Sequence, residues 1–421
     1  MFKIIFLCSL ISISAHADLS GMPPHIGPEG LQFSKIHTYK VEKLIENQLS
    51  QKELNAEDAA ELKQIEMILT DGKKASKWIE IVNESRLPGS KLDLSSPTKS
   101  GGIPINAPQK SSTEIMVKRY EDFLATAPAA ITDVIKSNQE LPKTAPIADA
   151  EFVTSLRILD RIYQSTIRWA GARSWLSWYI NRSIFDMRGF IFLRDTPNLE
   201  ATLKTYPEMS SEDKLKYNSW LLGLCRNGDF ESSDCRTELS NSIKRNNLFG
   251  FYTRFNKYGQ SMYDLFFTVK KTRKEMFWNP ERTVLHAPFL TPDRADVQNW
   301  LKENVEDEWK GENFNLQIDF KKTTQDIPKI EFKEGVTAHV NGIAGNTITM
   351  EAEYPIDSKD QKWTIRHEYG HVLGFEDCYL EFYDTNEKAM IYYEIDVNNL
   401  MCSRNGHLNS SHIEQLQKMY K

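Results

Sequence analysis

The sequence predicts an α+β protein, with a mostly helical N-terminal region followed by a C-terminal region that mixes strands and helices. Three observations carry this. Apolar residues recur at three- and four-residue spacing through much of 36–280, and they alternate in short runs between 314 and 352. A helix bearing paired histidines follows the last of those runs. The 421 residues suffice for two or three domains. At 40% hydrophobic and 26% charged, the chain has apolar mass for a substantial core, which excludes collagen, low-complexity disorder and coiled coil. A net charge of −6 argues against a nucleic-acid partner. The charge is uneven: residues 281–421 carry 15 basic and 25 acidic side chains, while residues 18–280 carry a net +3.

The first 17 residues read as a signal peptide. Lys3 precedes the apolar run Ile4–Ile13, and Ala15-His16-Ala17 puts small residues at a cleavage point before Asp18. Such a run reaches only ~16 Å as a helix, short of a ~30 Å hydrocarbon core. No later stretch approaches 18 apolar residues, so no transmembrane segment is expected. The expected location is secreted or periplasmic. Four cysteines remain after the signal: Cys225, Cys235, Cys378 and Cys402. An even number in an exported chain favours disulfides, with three connectivities open, and proximity suggests Cys225–Cys235 and Cys378–Cys402.

Residues 18–112 are expected to form a helical segment and then a linker. Leu54–Leu69 shows helical spacing, Asn55 can cap its start and Asp71-Gly72 can close its end. In 86–112, thirteen of 27 residues are Pro, Gly or Ser, the composition of a wandering segment. Residues 113–280 read as a second helical block. Leu156, Leu159, Tyr163 and Ile167 recur on one face and lead into Trp169, Trp175, Trp178 and Tyr179. Arg168, Arg173 and Arg182 lie among them, and a tryptophan-rich core with stacked arginines is the favoured reading.

From about Glu281 the pattern changes. Thr291 can cap a helix with Pro292 at its first position, and Val297, Trp300, Leu301, Val305 and Trp309 mark one face. Phe314, Leu316, Ile318 and Phe320 alternate with polar residues, as a half-buried strand does. Ile330 and Phe332 suggest a second strand, Val336–Val340 a third, and Ile348, Met350 and Ala352 a fourth.

The next helix contains His367-Glu368-Tyr369-Gly370-His371. Histidines four apart project from one helical face and can bind a single cation. Glu368 lies beside that face, where it can take a proton from water at the metal without being a ligand. Gly374 permits the left-handed turn that ends a helix and brings Asp377 round as a third ligand, leaving a fourth position open. Glu381 and Glu394, if placed on a later helix, are the rival third ligands. Chance supplies the HExxH pattern in about 1.5 of a hundred chains of this composition, and the added Gly and Asp make it far rarer. His286, His339, His407 and His412 show no grouping, so surface or core roles are expected of them.

His367–Asp377 (HEYGHVLGFED) resembles the metzincin zinc-protease signature HExxHxxGxxH, with Asp in the last position as in snapalysin-like bacterial metalloproteases. Asn398-Asn399-Leu400-Met401-Cys402 is similar to the metzincin Met-turn, with Met401 as its structural methionine. The resemblance covers about 281–421 and implies a mixed twisted sheet with an active-site helix. It implies Zn2+ on His367, His371 and Asp377, with Glu368 as catalytic base in hydrolysis of a protein or peptide substrate. It also implies a substrate-binding edge strand, expected at 347–352. An N-terminal block can serve such a family as an inhibitory propeptide, with Cys225 or Asp229 as metal-blocking groups, although a disulfide and a turn are the favoured roles for those two. Where some members carry a tyrosine after the Met-turn, this chain has Ser403, which leaves Tyr392 or Tyr393 to supply one. Readings of another class are a non-catalytic zinc-containing envelope binding or structural protein, and a zinc amidase acting on cell-wall peptides.

Overall fold

The computed structural model describes residues 56–94, 102–322, 326–403 and 405–421, so the expected signal peptide and Asn55 lie outside the described residues. α1 (Ala56–Asn83) does not stop at Asp71-Gly72. Gly72 sits inside it because the helix crosses a long partner there. A Cβ at Gly72 would come within 2.6 Å of Tyr163 Cβ, so the glycine serves close approach rather than termination. Of the linker expected at 86–112, residues 95–101 lie outside the described residues, and the described parts are tied down. Asn83 exchanges two 2.8 Å hydrogen bonds with the Leu92 backbone, and Gln109–Ser111 forms a short strand, β1. Three polar residues offer no alternation by which sequence could show that strand.

Among the described residues, nine α-helices follow: α2 (Thr113–Thr126), α3 (Ala129–Lys136), α4 (Asp149–Arg173), α5 (Leu176–Arg182), α6 (Arg188–Arg194), α7 (Leu199–Lys204), α8 (Ser211–Arg226), α9 (Ser232–Lys244) and α10 (Leu248–Leu265). Trp78, Tyr120, Phe152, Leu156 and Leu159 make one core where α1, α2 and α4 meet. The arginines expected to stack do so or pair: Arg182 lies over Trp178 at 4.8 Å, and Arg173 reaches Glu61 at 2.6 Å. Among the described residues no helix is long and apolar enough to cross a membrane.

β2 (Phe277–Trp278) opens the mixed α+β part, followed by β3 (Val284–Leu290) and α11 (Ala295–Leu301), which a π-turn extends to Glu306. The helix starts later than Thr291 because the Thr291 N–H still donates to the Lys321 carbonyl, 3.0 Å away. Next come β4 (Lys310–Gly311), β5 (Phe314–Lys321), β6 (Lys329–Lys333), β7 (His339–Val340), β8 (Thr347–Glu351) and α12 (Lys359–Val372). One sheet has the order β2-β3-β5-β4 and another β6-β8-β7. β3 pairs parallel with β5, β6 parallel with β8, and β7 antiparallel with β8. The strand expected at 347–352 is therefore interior to its sheet, and the edges are β6 and β7. α12 packs on these sheets through Ile365, Tyr369 and Val372, in one core with Phe289, Trp300, Trp309, Phe314 and Ile348. That core also includes Val269 and Met276, so packing of this part begins before Glu281.

After α12 the chain makes a hairpin, β9 (Tyr379–Asp384) and β10 (Ala389–Glu394), to which β1 adds as a third, antiparallel strand. α13 (Ser410–Met419) ends the chain. Leu380, Phe382, Ile391 and Tyr393 on the hairpin share a core with Phe190, Leu224, Phe251 and Phe255 of the helical region. Arg188 of α6 reaches across to Asp384 (2.8 Å) and Glu387 (2.6 Å), while also pairing with Asp186 (2.9 Å). The two regions thus share one apolar layer and one mostly buried ion-pair network.

Candidate metal centre

α12 presents His367 and His371 on one face, one turn apart, with ring centroids 4.8 Å apart. Its start is capped by Ser358, which accepts from the Gln361 N–H, and the Gln361 side chain donates to the Glu351 carbonyl at 2.7 Å. That second bond fixes the helix on β8. The helix ends at Gly374, whose φ of +95° is the left-handed conformation expected of it. A Cβ there would also collide with the Lys271 carbonyl. The chain turns back through this glycine and delivers Asp377.

Asp377 Oδ1 lies 2.9 Å from His367 Nε2 and 3.2 Å from His371 Nε2. Among the described residues these three form the one group of His, Cys, Asp and Glu able to hold a metal ion, with donor atoms all within 4.8 Å of one another. The far nitrogen of each imidazole is fixed by a carbonyl: His367 Nδ1 faces Leu400 O at 3.0 Å, and His371 Nδ1 faces Phe375 O at 2.9 Å. A carbonyl can only accept, so each Nδ1 carries a proton, and a ring in its neutral form offers its Nε2 lone pair inward. Two imidazoles and a carboxylate converging in this way fit zinc, with room for a further ligand. The three side chains are 16%, 12% and 34% exposed, so the group opens to solvent beside Asp377.

The electrostatics couple the donors tightly. Partial burial opposes charge on His371, yet the Asp377 and Glu368 carboxylates push its imidazole up to about 10. Asp377 is held well below the usual carboxylate range, because the two histidines outweigh the effect of burial. Glu368 is buried, and its Oε2 has no hydrogen-bond partner within the protein. An orphaned carboxylate oxygen beside a cation-binding group is expensive unless something polar is to meet it there.

Met401 lies beneath the helix. Its Sδ and Cε occupy the space a side chain at Gly370 would need, and Trp309 closes the same spot. The fully buried turn around it is held by Asn399, whose Oδ1 accepts from the Met401 N–H at 2.8 Å. His412 of α13 braces Asn399: its Nδ1 accepts from the Asn409 N–H at 3.2 Å, which leaves Nε2–H to donate to Asn399 Oδ1 at 3.1 Å. Burial lowers His412 to about 4, so it works as a neutral bridge. Neither Asn399 nor His412 is marked by spacing; only Asn409, three residues before His412 as in a capping pair, hints at the link.

Both expected disulfides form, Cys225–Cys235 and Cys378–Cys402. Cys225 is therefore no free thiolate for blocking a metal. Asp229, at φ +58°, occupies the turn that follows α8. Glu381 and Glu394 do not join the metal group. They lie on strands rather than a helix, and Glu394 instead accepts from the Ile103 N–H at 3.1 Å. The candidate tyrosines point elsewhere. Tyr393 donates to Asp186 at 2.8 Å in the helical region, and the Tyr392 hydroxyl donates to Glu394 at 3.4 Å, its ring tilted against that of Tyr379 with centroids 5.9 Å apart. Tyr379, two residues past Asp377, is the tyrosine at the site, with its ring 6.2 Å from that of His367. Burial and the nearby Asp377, Glu381 and Glu368 carboxylates keep its phenol protonated. No known family, curated protein or solved structure matches the chain, so a functional conclusion rests on this geometry.

Proposed function

We propose that this protein is an exported zinc-dependent endopeptidase of the metzincin type, with residues 1–17 as its export signal. The observation that carries the reading is the convergence of His367 Nε2, His371 Nε2 and Asp377 Oδ1 within 4.8 Å, beside the buried Glu368, whose Oε2 has no hydrogen-bond partner within the protein. Bound there, zinc would supply Lewis acidity that polarises a scissile carbonyl and makes a nearby water more acidic. Glu368 takes the proton from the attacking water and returns it to the leaving amine. Because the third donor is a carboxylate, the centre carries one more negative charge than with a third imidazole, and more of the water's activation falls to Glu368. Tyr379, protonated and beside the donors, offers its hydroxyl to the carbonyl oxygen under attack.

β7 supports a peptide substrate. It is an edge strand, it touches α12, and the Ala344 N–H just beyond it donates to the His371 carbonyl at 2.8 Å. An extended peptide added to that edge would run past the metal group. The helical region is, in this reading, a permanent partner of the zinc region, since the β9–β10 hairpin that follows Asp377 buries its apolar side chains in the core of the helical region.

The test is hydrolysis of an unfolded protein substrate by full-length, zinc-loaded protein. Glu368→Gln should lower the rate by about 10²- to 10⁴-fold while zinc stays bound. Equal rates in the variant, or no cleavage by the zinc-loaded wild type, would sink the proposal.

A further inference from the structure

Asp377 and Met401 are 24 residues apart, yet each is followed directly by one half of the same disulfide, Cys378–Cys402. Both sulfur-bearing residues are buried. The Cys378 N–H donates to the Met401 carbonyl at 3.1 Å, and the Cys378 carbonyl accepts from the Ile395 N–H at 3.0 Å. On its other side Asp377 has Gly374, whose carbonyl accepts from the Lys270 N–H at 2.9 Å, and Glu376, which faces Lys270 at 3.6 Å. Between those anchors Asp377 has the two histidines themselves as its side-chain contacts in the site. The same disulfide also fixes the turn whose Leu400 carbonyl sets the His367 tautomer.

We infer that the Cys378–Cys402 disulfide is the positioning element of the metal centre, so that high-affinity metal capture requires the oxidised pair. This rests on reading the group as a metal centre, not on the peptidase reaction. Without the covalent tie, the third donor and the carbonyl behind the first donor are joined only through backbone hydrogen bonds such as that from the Cys378 N–H to the Met401 carbonyl. Displacement of either weakens metal binding as the loss of an outer-shell support does. The consequence is an order of assembly: the thiols must be oxidised before the site holds its ion. That confines the loaded protein to an oxidising compartment. The second disulfide, Cys225–Cys235, joins α8 to α9 and has no such link to the donors.

The experiment is a Co2+ and Zn2+ titration of full-length protein against a competing chelator, with the visible Co2+ absorption as a reporter of donor geometry. Cys378→Ser/Cys402→Ser should bind about 10- to 100-fold more weakly and show an altered Co2+ spectrum. Cys225→Ser/Cys235→Ser should match wild type in both. If the serine pair does not fold, Cys378→Val/Cys402→Ala restores the buried apolar volume without the bond and carries the same titration. A folded variant at this pair with wild-type affinity and spectrum would overturn the inference. So would failure of both pairs to fold, which would make the disulfide a general folding requirement. Wild-type protein that binds neither ion would instead remove the metal centre itself.

Discussion

At His371 the protein with and without metal should answer pH with opposite sign. Its folded value of about 10 lies above the ordinary imidazole value near 6.5. The stabilisation this brings to the metal-free fold is complete below about pH 6.5 and is lost as the pH rises towards 10. Asp377 is depressed instead, so its contribution holds above about pH 4 and is lost on further acidification. Metal-free protein should therefore melt highest between about pH 4 and 6.5. Zinc needs neutral imidazole, so loading must expel the His371 proton, and affinity should rise with pH. Calorimetric titration at pH 7 in buffers of different ionisation heat should show about one proton released per zinc. No release would contradict this assignment of charge. The grouping of His367, His371, Glu368 and Asp377 is legible in the sequence, because helical spacing and a glycine turn fix these residues locally. What orients them is not: the Leu400 and Phe375 carbonyls are backbone atoms, and any residue type supplies them.

Strands whose residues alternate in polarity, such as β5 and β8, are legible in the sequence, and the largely apolar runs of β3 and β10 are not. In β5, Phe314, Leu316 and Ile318 are buried while Asn315 and Gln317 are exposed, which is the alternation seen in the sequence. β3 sits inside its sheet with both faces covered, and every residue of β10 is buried, so neither shows alternation. α1 was read as ending at Gly72 for a related reason: sequence cannot tell a glycine that ends a helix from one that lets a neighbour in close. The difference is measurable. Helix propensity alone favours Gly72→Ala by about 1 kcal/mol. Collision with Tyr163 should reverse that sign and leave the variant about 1–3 kcal/mol less stable in chemical unfolding. A stabilised variant would mean that α1 and α4 do not meet as described.

At the scale of the molecule, opposite net charges on the two regions allowed either a removable inhibitory block or a lasting partner. The β9–β10 hairpin, packed in the core of the helical region, favours the second. A fragment of residues 281–421 would expose Leu380, Phe382, Ile391 and Tyr393 and leave Asp384 and Glu387 without Arg188. It would also lack Val269 and Met276 from its own core. Such a fragment should be unfolded or aggregated by circular dichroism and sedimentation, and full-length protein should be active without processing. A folded fragment that outpaces the full chain would restore the propeptide reading. The central claim, that His367, His371 and Asp377 hold zinc, is tested most directly by zinc K-edge absorption on the loaded full-length protein. The account predicts a nitrogen and oxygen shell at about 2.0–2.2 Å, with imidazole scattering that weakens in His371→Ala. A sulfur shell at about 2.3 Å, or a protein that retains no zinc, would contradict it.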